Sequence, residues 1–350
     1  MLKRLCAILM LACFTLPLAA QEVEWSIDAT VLLNNREGGD EYSPDQTFMF
    51  TRLHPEVGVS MNEGEHVLKG GLVWYQPMID DLTGYKLLPT LYYRYNRPDG
   101  WRAMVGLIPR SLMVKRMPRY MWSDSLDYCQ PVVRGVMAQL VKPAGYAEVA
   151  VDWRQMQTDW QREAFAIMFN TDWRVAGPLR LGGHVQYSHL AKSKLGKEGQ
   201  HVNDDLILNP MAALDLSHRT ALDSLRLAAG AIIAMERDRG EERWRKPAGL
   251  VITGTARWRW LQLDETFYTG QDLLPLYPTL GSQLNLGDPY YHSKTYSRTD
   301  LTAHVVSNRF VDLTASLMFH ATDRVTGFWQ QIACRFFLDS HLWNKSRNRD

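Results

Sequence analysis

The feature that most constrains this chain is a period of two in hydrophobicity, repeated along almost its whole length. In the first such segment, the apolar residues Val23, Trp25 and Ile27 share one parity. The polar residues Glu24 and Ser26 share the other. A strand places alternate side chains on opposite faces, whereas a helix would scatter them around its circumference. The pattern therefore predicts a protein built almost entirely from β-strands.

The links between the predicted strands alternate between short and long. About sixteen strands are expected, within a range of fourteen to sixteen, near 22–34, 47–62, 66–78, 85–97, 101–110, 132–142, 145–156, 162–175, 178–191, 204–218, 222–237, 247–257, 259–268, 295–307, 309–320 and 326–338. Every second link is short and rich in turn residues, as at 98–100 and 176–178, whereas the longest links are 111–131 and 269–294. Outer-membrane barrels have tight periplasmic turns and long outward-facing loops.

The fold class that follows is all-β: an antiparallel transmembrane β-barrel of the outer-membrane type, with both chain termini on the periplasmic side. We assign residues 1–20 to a cleaved signal peptide, 21–338 to the barrel and 339–350 to a short periplasmic basic tail. Aromatic residues at strand ends, including Tyr75 and Trp153 at the outward rim, agree with girdles at the membrane interfaces. A soluble secreted β-sandwich is the alternative fold, but it does not predict the alternation of link lengths.

The first twenty residues have the layout of a secretory signal. Lys3 and Arg4 precede an uncharged run from Leu5 to Leu18, and cleavage is expected after Ala20. The expected location is the outer membrane of a Gram-negative cell, with outer-membrane lipid as a partner. The rest of the chain has no apolar run near the ~20 residues that a spanning helix needs. The formal net charge of +1 is not that of a nucleic-acid-binding protein, so no nucleic-acid partner is expected.

Loop 111–131 is the first candidate for a functional element. It combines apolar residues such as Met113, Tyr120 and Trp122 with charges of both signs. A loop that lies in water has little use for such apolar residues, so we expect it to fold into the lumen as a pore constriction. The candidate constriction residues are Arg110, Lys115, Arg116, Arg119, Asp124 and Asp127. A packed surface lid or a contact with a neighbouring subunit is the alternative.

Charged residues on the polar parity line the predicted lumen. Carboxylates match the arginines nearly one for one, which indicates a ladder of ion pairs inside the barrel. A mild preference for anions is a further hypothesis. The candidate lumen-lining residues are Arg52, Glu56, Arg94, Arg102, Asp152, Arg154, Arg180, His184, Arg226, Arg257, Arg298 and Asp300.

Loop 269–294 is rich in Tyr, Asp and Gly, above all in the segment 287–291. Such residues suit stacking and hydrogen bonding to sugars. Ordinary turn chemistry with aromatic packing accounts for the same composition, and this second interpretation is the one we favour.

Catalytic and metal-binding motifs are missing from the sequence. Neither GxSxG nor HExxH occurs, and His184 and His320, which face the predicted lumen, need no catalytic reason. Cys129 and Cys334 are expected to be free thiols, because two distant cysteines do not make a disulfide framework. We therefore expect no enzymatic activity, no cofactor and no metal ion.

Several short islands resemble a pattern in uncharacterised porin-like outer-membrane proteins of Bacteroidetes-type bacteria. These islands are 109–112, 123–135, 265–270, 287–291 and 296–300. The resemblance implies a β-barrel in the outer membrane. It brings no substrate and no catalytic residue to this sequence.

The predicted function is a porin-like channel for the passive diffusion of small polar solutes, since about sixteen strands enclose a lumen wide enough for water. A plugged barrel that serves as receptor or scaffold for a partner is the first alternative, and a barrel hydrolase is the second. A homotrimer is compatible with the sequence, because an apolar outer face suits lipid and a neighbouring subunit equally.

Overall fold

A closed antiparallel barrel forms the body of the protein. The computed structural model describes residues 21–37, 41–78, 84–196, 198–241 and 243–347, and the predicted signal peptide lies outside them. The strands are β1 (Gln21–Glu37), β2 (Gln46–Met61), β3 (His66–Pro77), β4 (Lys86–Asn96), β5 (Trp101–Pro109), β6 (Val132–Lys142), β7 (Gly145–Gln155), β8 (Ala164–Ala176), β9 (Leu179–Leu190), β10 (Asn203–Asp215), β11 (Ser224–Asp238), β12 (Arg243–Arg245), β13 (Ala248–Trp258), β14 (Leu261–Gly270), β15 (Thr295–Ser307), β16 (Val311–Thr322) and β17 (Thr326–Asp339). All seventeen belong to one sheet, which closes because β1 pairs with both β2 and β17.

Sixteen of these strands make the wall. β12 has only three residues, pairs with the end of β11, and is separated from β13 by Lys246 and Pro247. β11 also pairs directly with β13. β12 therefore continues β13 beyond the loop end and is not a separate strand of the barrel wall. The prediction of an antiparallel barrel with about sixteen strands is confirmed.

The two ends of the barrel differ in their links. We call the end with both chain termini and the short links the turn end, and the opposite end the loop end. In the turn after β2, Asn62, Glu63 and Gly64 all have positive φ, at 53°, 54° and 84°. Such tight hairpin turns need positive φ and match the twist of the flanking strands. The predicted alternation of short and long links is observed, with two exceptions: three residues, 323–325, join β16 to β17 at the loop end, and eight residues, 216–223, join β10 to β11 at the turn end.

The outer surface of the wall carries the apolar parity. Val57, for example, is 63% exposed there. Trp153 lies on the same surface near the loop end and packs on Phe165 with ring centroids 5.1 Å apart, as expected for a girdle. Tyr75 differs from the expectation, because it shares the inner parity of β3 and packs on the buried Phe50 at 4.8 Å.

The inner surface of the wall changes character along its height. Toward the turn end it is polar and charged, as predicted. Toward the loop end it is mixed: the buried apolar residues Val73, Met104, Ile108, Val133, Met137, Met168, Ile207, Ile232 and Val251 lie on the same surface as buried charged residues such as Arg298 and Asp300. The expected polar lumen is therefore only partly observed at the loop end. The physical reason is that long links from that end enter the barrel and exclude water, so the wall has protein on its inner side.

Helices are few and short: α1 (Asp124–Cys129), α2 (Tyr277–Leu280) and α3 (Ser340–Arg347). None of the helices in the described ranges is long and apolar enough to cross a membrane. Helix α3 forms where the sequence indicated a basic tail, and its Trp343 meets Trp25 edge-on at 6.4 Å. Cys129, at the end of α1, and Cys334, in β17, are free thiols.

Candidate functional site

Two long links fold into the barrel and pack on each other. We call residues 110–131 and 271–294 together the plug. Most of its apolar side chains form one cluster with the apolar part of the inner wall, and Met121, Leu274 and Leu286 in it have no exposed surface. Leu276 and Leu284 pack in a second, smaller cluster. Apolar burial of this kind is the dominant stabilising contribution in protein interiors.

Polar side chains of the wall hold the first plug segment in place. Glu148 accepts from the backbone nitrogen of Val114 at 2.7 Å, and Gln186 Nε2 donates to the carbonyl of Met121 at 2.8 Å. Since Glu148 is in β7 and Gln186 in β9, the segment follows the inner wall rather than projecting into water. Its hydrogen bonds with wall side chains satisfy backbone groups that burial would otherwise leave unpaired.

The second plug segment is held by a buried carboxylate. Glu236 accepts from the backbone nitrogen of Leu276 at 2.8 Å and from Asn285 Nδ2 at 2.5 Å. The two segments are also joined directly, because Ser123 N donates to Leu286 O at 2.8 Å. At the same contact a Cβ on Gly287 would overlap the carbonyl of Tyr120, so only glycine permits this approach.

A cluster of four charges fixes the plug to the wall near the loop end. Arg298 and Asp300 come from β15, and Arg119 and Asp124 come from the plug. Arg298 bonds Asp124 through Nη1 at 2.7 Å and Asp300 through Nε at 2.8 Å. Arg119 Nε lies 3.2 Å from Asp124, and Arg119 Nη2 lies 3.4 Å from Asp300. Each carboxylate therefore contacts both guanidinium groups, and all four charges are compensated within the cluster.

Two carboxyl groups of the plug have pKa values that are shifted in opposite directions: Asp124, within this cluster, and Asp288, beside it. Burial alone would raise the pKa of Asp124, but the Arg119 and Arg298 guanidinium groups outweigh it and hold that pKa well below its usual range. Asp288 has no such partner in contact, and burial, with the negative charge of Asp124 nearby, raises its pKa to about 6. Asp288 is thus a buried carboxyl group that changes charge close to neutral pH.

A cavity of about 50 Å³ lies between plug and wall beside Asp288. We call it the outer cavity. It is lined by Arg36, Tyr42, Ser43, Ser123, Asp124, Ser125, Asp288, Pro289, Tyr290 and Trp329. The lining brings a guanidinium group, three serine hydroxyls and two carboxylates together at the loop end of the barrel.

Arg36 is held rigidly at this cavity. Its Nε donates to Asn34 Oδ1 at 3.0 Å and its Nη1 donates to Ser43 Oγ at 3.4 Å. Its guanidinium carbon lies 4.0 Å from the centre of the Trp329 ring. An arginine buried with so few counter-charges in contact retains donors for a ligand, and its planar group suits an oxyanion.

The predicted constriction residues are all in the plug, but the structure does not bring them to one place. Arg110 Nη2 bonds Asp152 Oδ2 at 2.5 Å, and the guanidinium carbon of Arg110 lies 3.8 Å from the centre of the Trp122 ring. Arg119 and Asp124 belong to the charge cluster described above. Arg116 pairs with Asp127 at 3.0 Å and is 79% exposed inside the barrel. Their role as a pore constriction stays a prediction.

The predicted lumen-lining residues fall into separate ion pairs and hydrogen bonds. Arg94 lies 3.8 Å from Glu24, and Glu56 lies 3.2 Å from His54 and 3.7 Å from Lys69. Further contacts are Arg154 to the carbonyls of Ser282 and Gln283, Arg257 to the carbonyl of Arg259, and both Arg180 and Arg226 to Asp172. Arg52 and Arg102 lie on the inner parity of β2 and β5, and His184 lines a cavity near the turn end.

Sequence reasoning missed the outer cavity. Arg36 precedes the first long link and Ser43 lies within it, and that link carries no motif, whereas Asp288 stands out in the sequence only as part of the segment 287–291. That segment packs as expected for aromatic turn chemistry, because Tyr290 stacks on Tyr296 at 5.1 Å inside the barrel. The usable signal is the placement of a carboxylate and two tyrosines within four residues, Asp288 to Tyr291.

Solved outer-membrane barrels have the same fold. The anion-selective porin from Comamonas acidovorans aligns with a TM-score of 0.54 at 11% identity, over 91% of this chain and 99% of that one. The outer membrane protein opdK from Pseudomonas aeruginosa aligns with a TM-score of 0.53 at 8% identity, over 91% and 99%. The outer membrane protein OmpT of Vibrio cholerae, in a variant that lacks loop L8, aligns with a TM-score of 0.54 at 9% identity. The alignment covers 91% of this chain and 100% of that one. The predicted porin-like character of the barrel is confirmed.

A family model described as lipid A 3'-O-deacylase-type matches residues 16–326. That description denotes an enzyme family, so the expectation of a protein without enzymatic activity is wrong. The expectation rested on motifs of other hydrolases, and a site assembled from separate loops carries no such local motif. Comparison with curated proteins finds no relative.

Proposed function

Because the chain belongs to the lipid A 3'-O-deacylase-type family, we propose that it is an outer-membrane hydrolase that removes an acyl chain from lipid A. The outer cavity is the proposed site. The localisation that goes with this proposal is the outer membrane of a Gram-negative cell, reached by means of the signal peptide.

One observation carries the assignment to the outer cavity: a carboxyl group with a pKa of about 6 and a rigid guanidinium group line the same space. Asp288 is ionised at neutral pH and remains basic enough to accept a proton, which is the requirement for a general base. Arg36 supplies fixed positive charge where an ester carbonyl would gain negative charge.

The proposed reaction is hydrolysis of the acyl ester by water. Asp288 takes a proton from the water as its oxygen bonds to the carbonyl carbon, and Arg36 stabilises the resulting oxyanion. The bond from that carbon to the sugar oxygen then breaks, and the sugar oxygen receives the proton from Asp288. The products are a fatty acid and a free sugar hydroxyl, and no oxidant or metal ion enters the balance.

The test is release of fatty acid from purified lipid A by the folded protein in detergent, followed by mass spectrometry. Arg36→Gln is expected to lower the rate by about 10²–10³-fold, the usual effect of removing one oxyanion donor. The control is Arg335→Gln, because Arg335 pairs with Asp28 elsewhere on the inner wall. Lipid A that keeps all its acyl chains after incubation with folded wild-type protein would contradict the proposal.

A channel for small polar solutes is the second candidate function. It is favoured by charges that remain in contact with water inside the barrel, since Arg335 is 49% exposed although it faces the interior. These charges lie toward the turn end, below the plug, where the plug's own Arg116 is also exposed.

Deleting residues 112–127 is expected to raise single-channel conductance several-fold in a planar bilayer, because the first plug segment occupies the interior. The deletion variant must first show the heat-modifiable gel migration of a folded barrel. Equal conductance of the deletion variant and the wild type would count against loop 111–131 as a constriction.

A further inference from the structure

A second cavity lies between plug and wall on the turn-end side. Its volume is about 30 Å³, and we call it the inner cavity. The cations, the carboxylate and the imidazole around it belong to Lys115, Asp172, Arg180, His184 and Arg226. The plug contributes Lys115, and the wall strands β8, β9 and β11 contribute the others. No step proposed for the outer cavity uses any of these groups.

Positive charge exceeds negative charge at this cavity. Asp172 accepts from Arg180 Nε through Oδ1 at 2.7 Å and from Arg226 Nη2 through Oδ2 at 2.7 Å. One carboxylate therefore serves two guanidinium groups. Within the described ranges, the ammonium group of Lys115 has neither a hydrogen bond nor an ion pair. Three cations and a single carboxylate thus line this cavity, and the carboxylate contacts only the two arginines.

The other carboxylates of this region do not remove the excess. Asp264 accepts from Thr255 Oγ1 at 2.7 Å and from Gln262 Nε2 at 2.6 Å, both of which are neutral donors. Asp215 accepts from the backbone nitrogen of Ser217 at 3.2 Å. Neither carboxylate is in contact with the cations of the inner cavity, although both act on them at longer range.

The backbone of Lys115 is positioned by the fold. Its carbonyl accepts from Asn170 Nδ2 at 3.1 Å, which fixes the plug backbone beside β8. Beside it, His184 Nδ1 is buried and has no hydrogen-bond partner among the residues that the structure describes. Arg226 remains 29% exposed, so the cavity is reached from the water of the lumen. The structure thus holds several unused donors around one small polar space.

We propose that the inner cavity binds a phosphate group, either as inorganic phosphate or as part of a small solute in the lumen. A phosphate dianion matches the local excess of two positive charges. Its oxygens suit the planar donors of Arg180 and Arg226 and the point charge of Lys115. A volume of about 30 Å³ holds one or two ordered waters, whose places phosphate oxygens would take. The site is independent of the hydrolase function proposed above.

The experiment is calorimetric titration of the folded full-length protein in detergent with inorganic phosphate, at constant ionic strength set with chloride. Lys115→Gln is expected to weaken binding on the order of tenfold, the effect of losing one charge-assisted hydrogen bond. Asp172→Asn is expected to strengthen binding, because it removes the only carboxylate in contact. A second titration with a sugar phosphate separates the two forms of the ligand: tighter binding than inorganic phosphate indicates a phosphorylated solute.

Arg335→Gln is the matched control, since it removes a lumen arginine of a different ion pair and should leave the affinity unchanged. Because Lys115 has no partner to lose, Lys115→Gln should fold normally, as heat-modifiable migration will show. Absence of phosphate binding by the wild type would overturn the proposal. So would equal affinity of the wild type and Lys115→Gln, which would place the anion elsewhere.

Discussion

Replacing Arg298 with methionine is expected to destabilise docking of the plug by about 3–5 kcal/mol. The side chain of Arg298 is 2% exposed and bonds both Asp124 and Asp300. Its removal leaves two largely buried carboxylates with only the partly exposed Arg119 between them, and an uncompensated buried charge is costly. Hydrogen exchange of the plug amides measures the effect, as a loss of protection by about two to four orders of magnitude.

The matched control for Arg298 is Arg335→Met, which breaks the half-exposed pair with Asp28 and should cost at most about 1 kcal/mol. Combining Arg298→Met with Asp124→Asn is expected to recover part of the loss, because the double variant lacks one of the uncompensated carboxylates. Similar protection of the plug in Arg298→Met and in the wild type would show that apolar contacts alone hold it.

Asp288→Asn is expected to abolish most of the proposed hydrolase activity while making the protein more stable at alkaline pH. Loss of a general base costs about 10²–10⁴-fold in rate. Burial raises the pKa of Asp288 from 3.8 to about 6, so the folded state holds a proton that the unfolded state releases. The stabilising contribution of Asp288 is therefore fully present below pH 4 and is lost as the pH rises through about 6.

Asparagine carries no charge at any pH, so the variant should exceed the wild type by up to about 3 kcal/mol at pH 8 and match it below pH 4. Melting temperatures across this range, with acyl release measured on the same samples, provide the test. Asp124→Asn gives a control of opposite sign, because its carboxylate is stabilised in the charged form. If Asp288→Asn were less stable than the wild type at pH 8, the ionised carboxylate would have a stabilising partner in the folded protein, and the expectation would be wrong.

The wall could be predicted from the sequence because alternation is a local property. β9 was expected at 178–191 and lies at Leu179–Leu190, and β13 was expected at 247–257 and lies at Ala248–Trp258. Each strand has lipid on one side and lumen on the other, so apolar and polar residues alternate along its sequence. The same logic fails near the loop end, where Ile108 and Ile207 occupy the polar parity because both faces of the wall are covered.

The site could not be predicted because its contacts join distant parts of the chain. Asp124 and Arg298 are 174 positions apart, and no local pattern pairs one carboxylate among many with one arginine among many. The role proposed for Asp288 depends on a pKa that burial produces, and this burial arises from the packing of the plug against distant strands. The sequence did indicate that loop 111–131 was too apolar to lie in water, which is the part of the site that composition alone reveals.

The apolar inner wall has a consequence for the stability of this barrel. An empty barrel would expose Val133, Ile207 and Ile232 to water, at about 25 cal/mol for each Å² of apolar surface uncovered. The plug segments are links between consecutive strands, so each is anchored at both ends to the wall that it covers. The wall and the packing of its interior are therefore energetically coupled, because each stabilises the other.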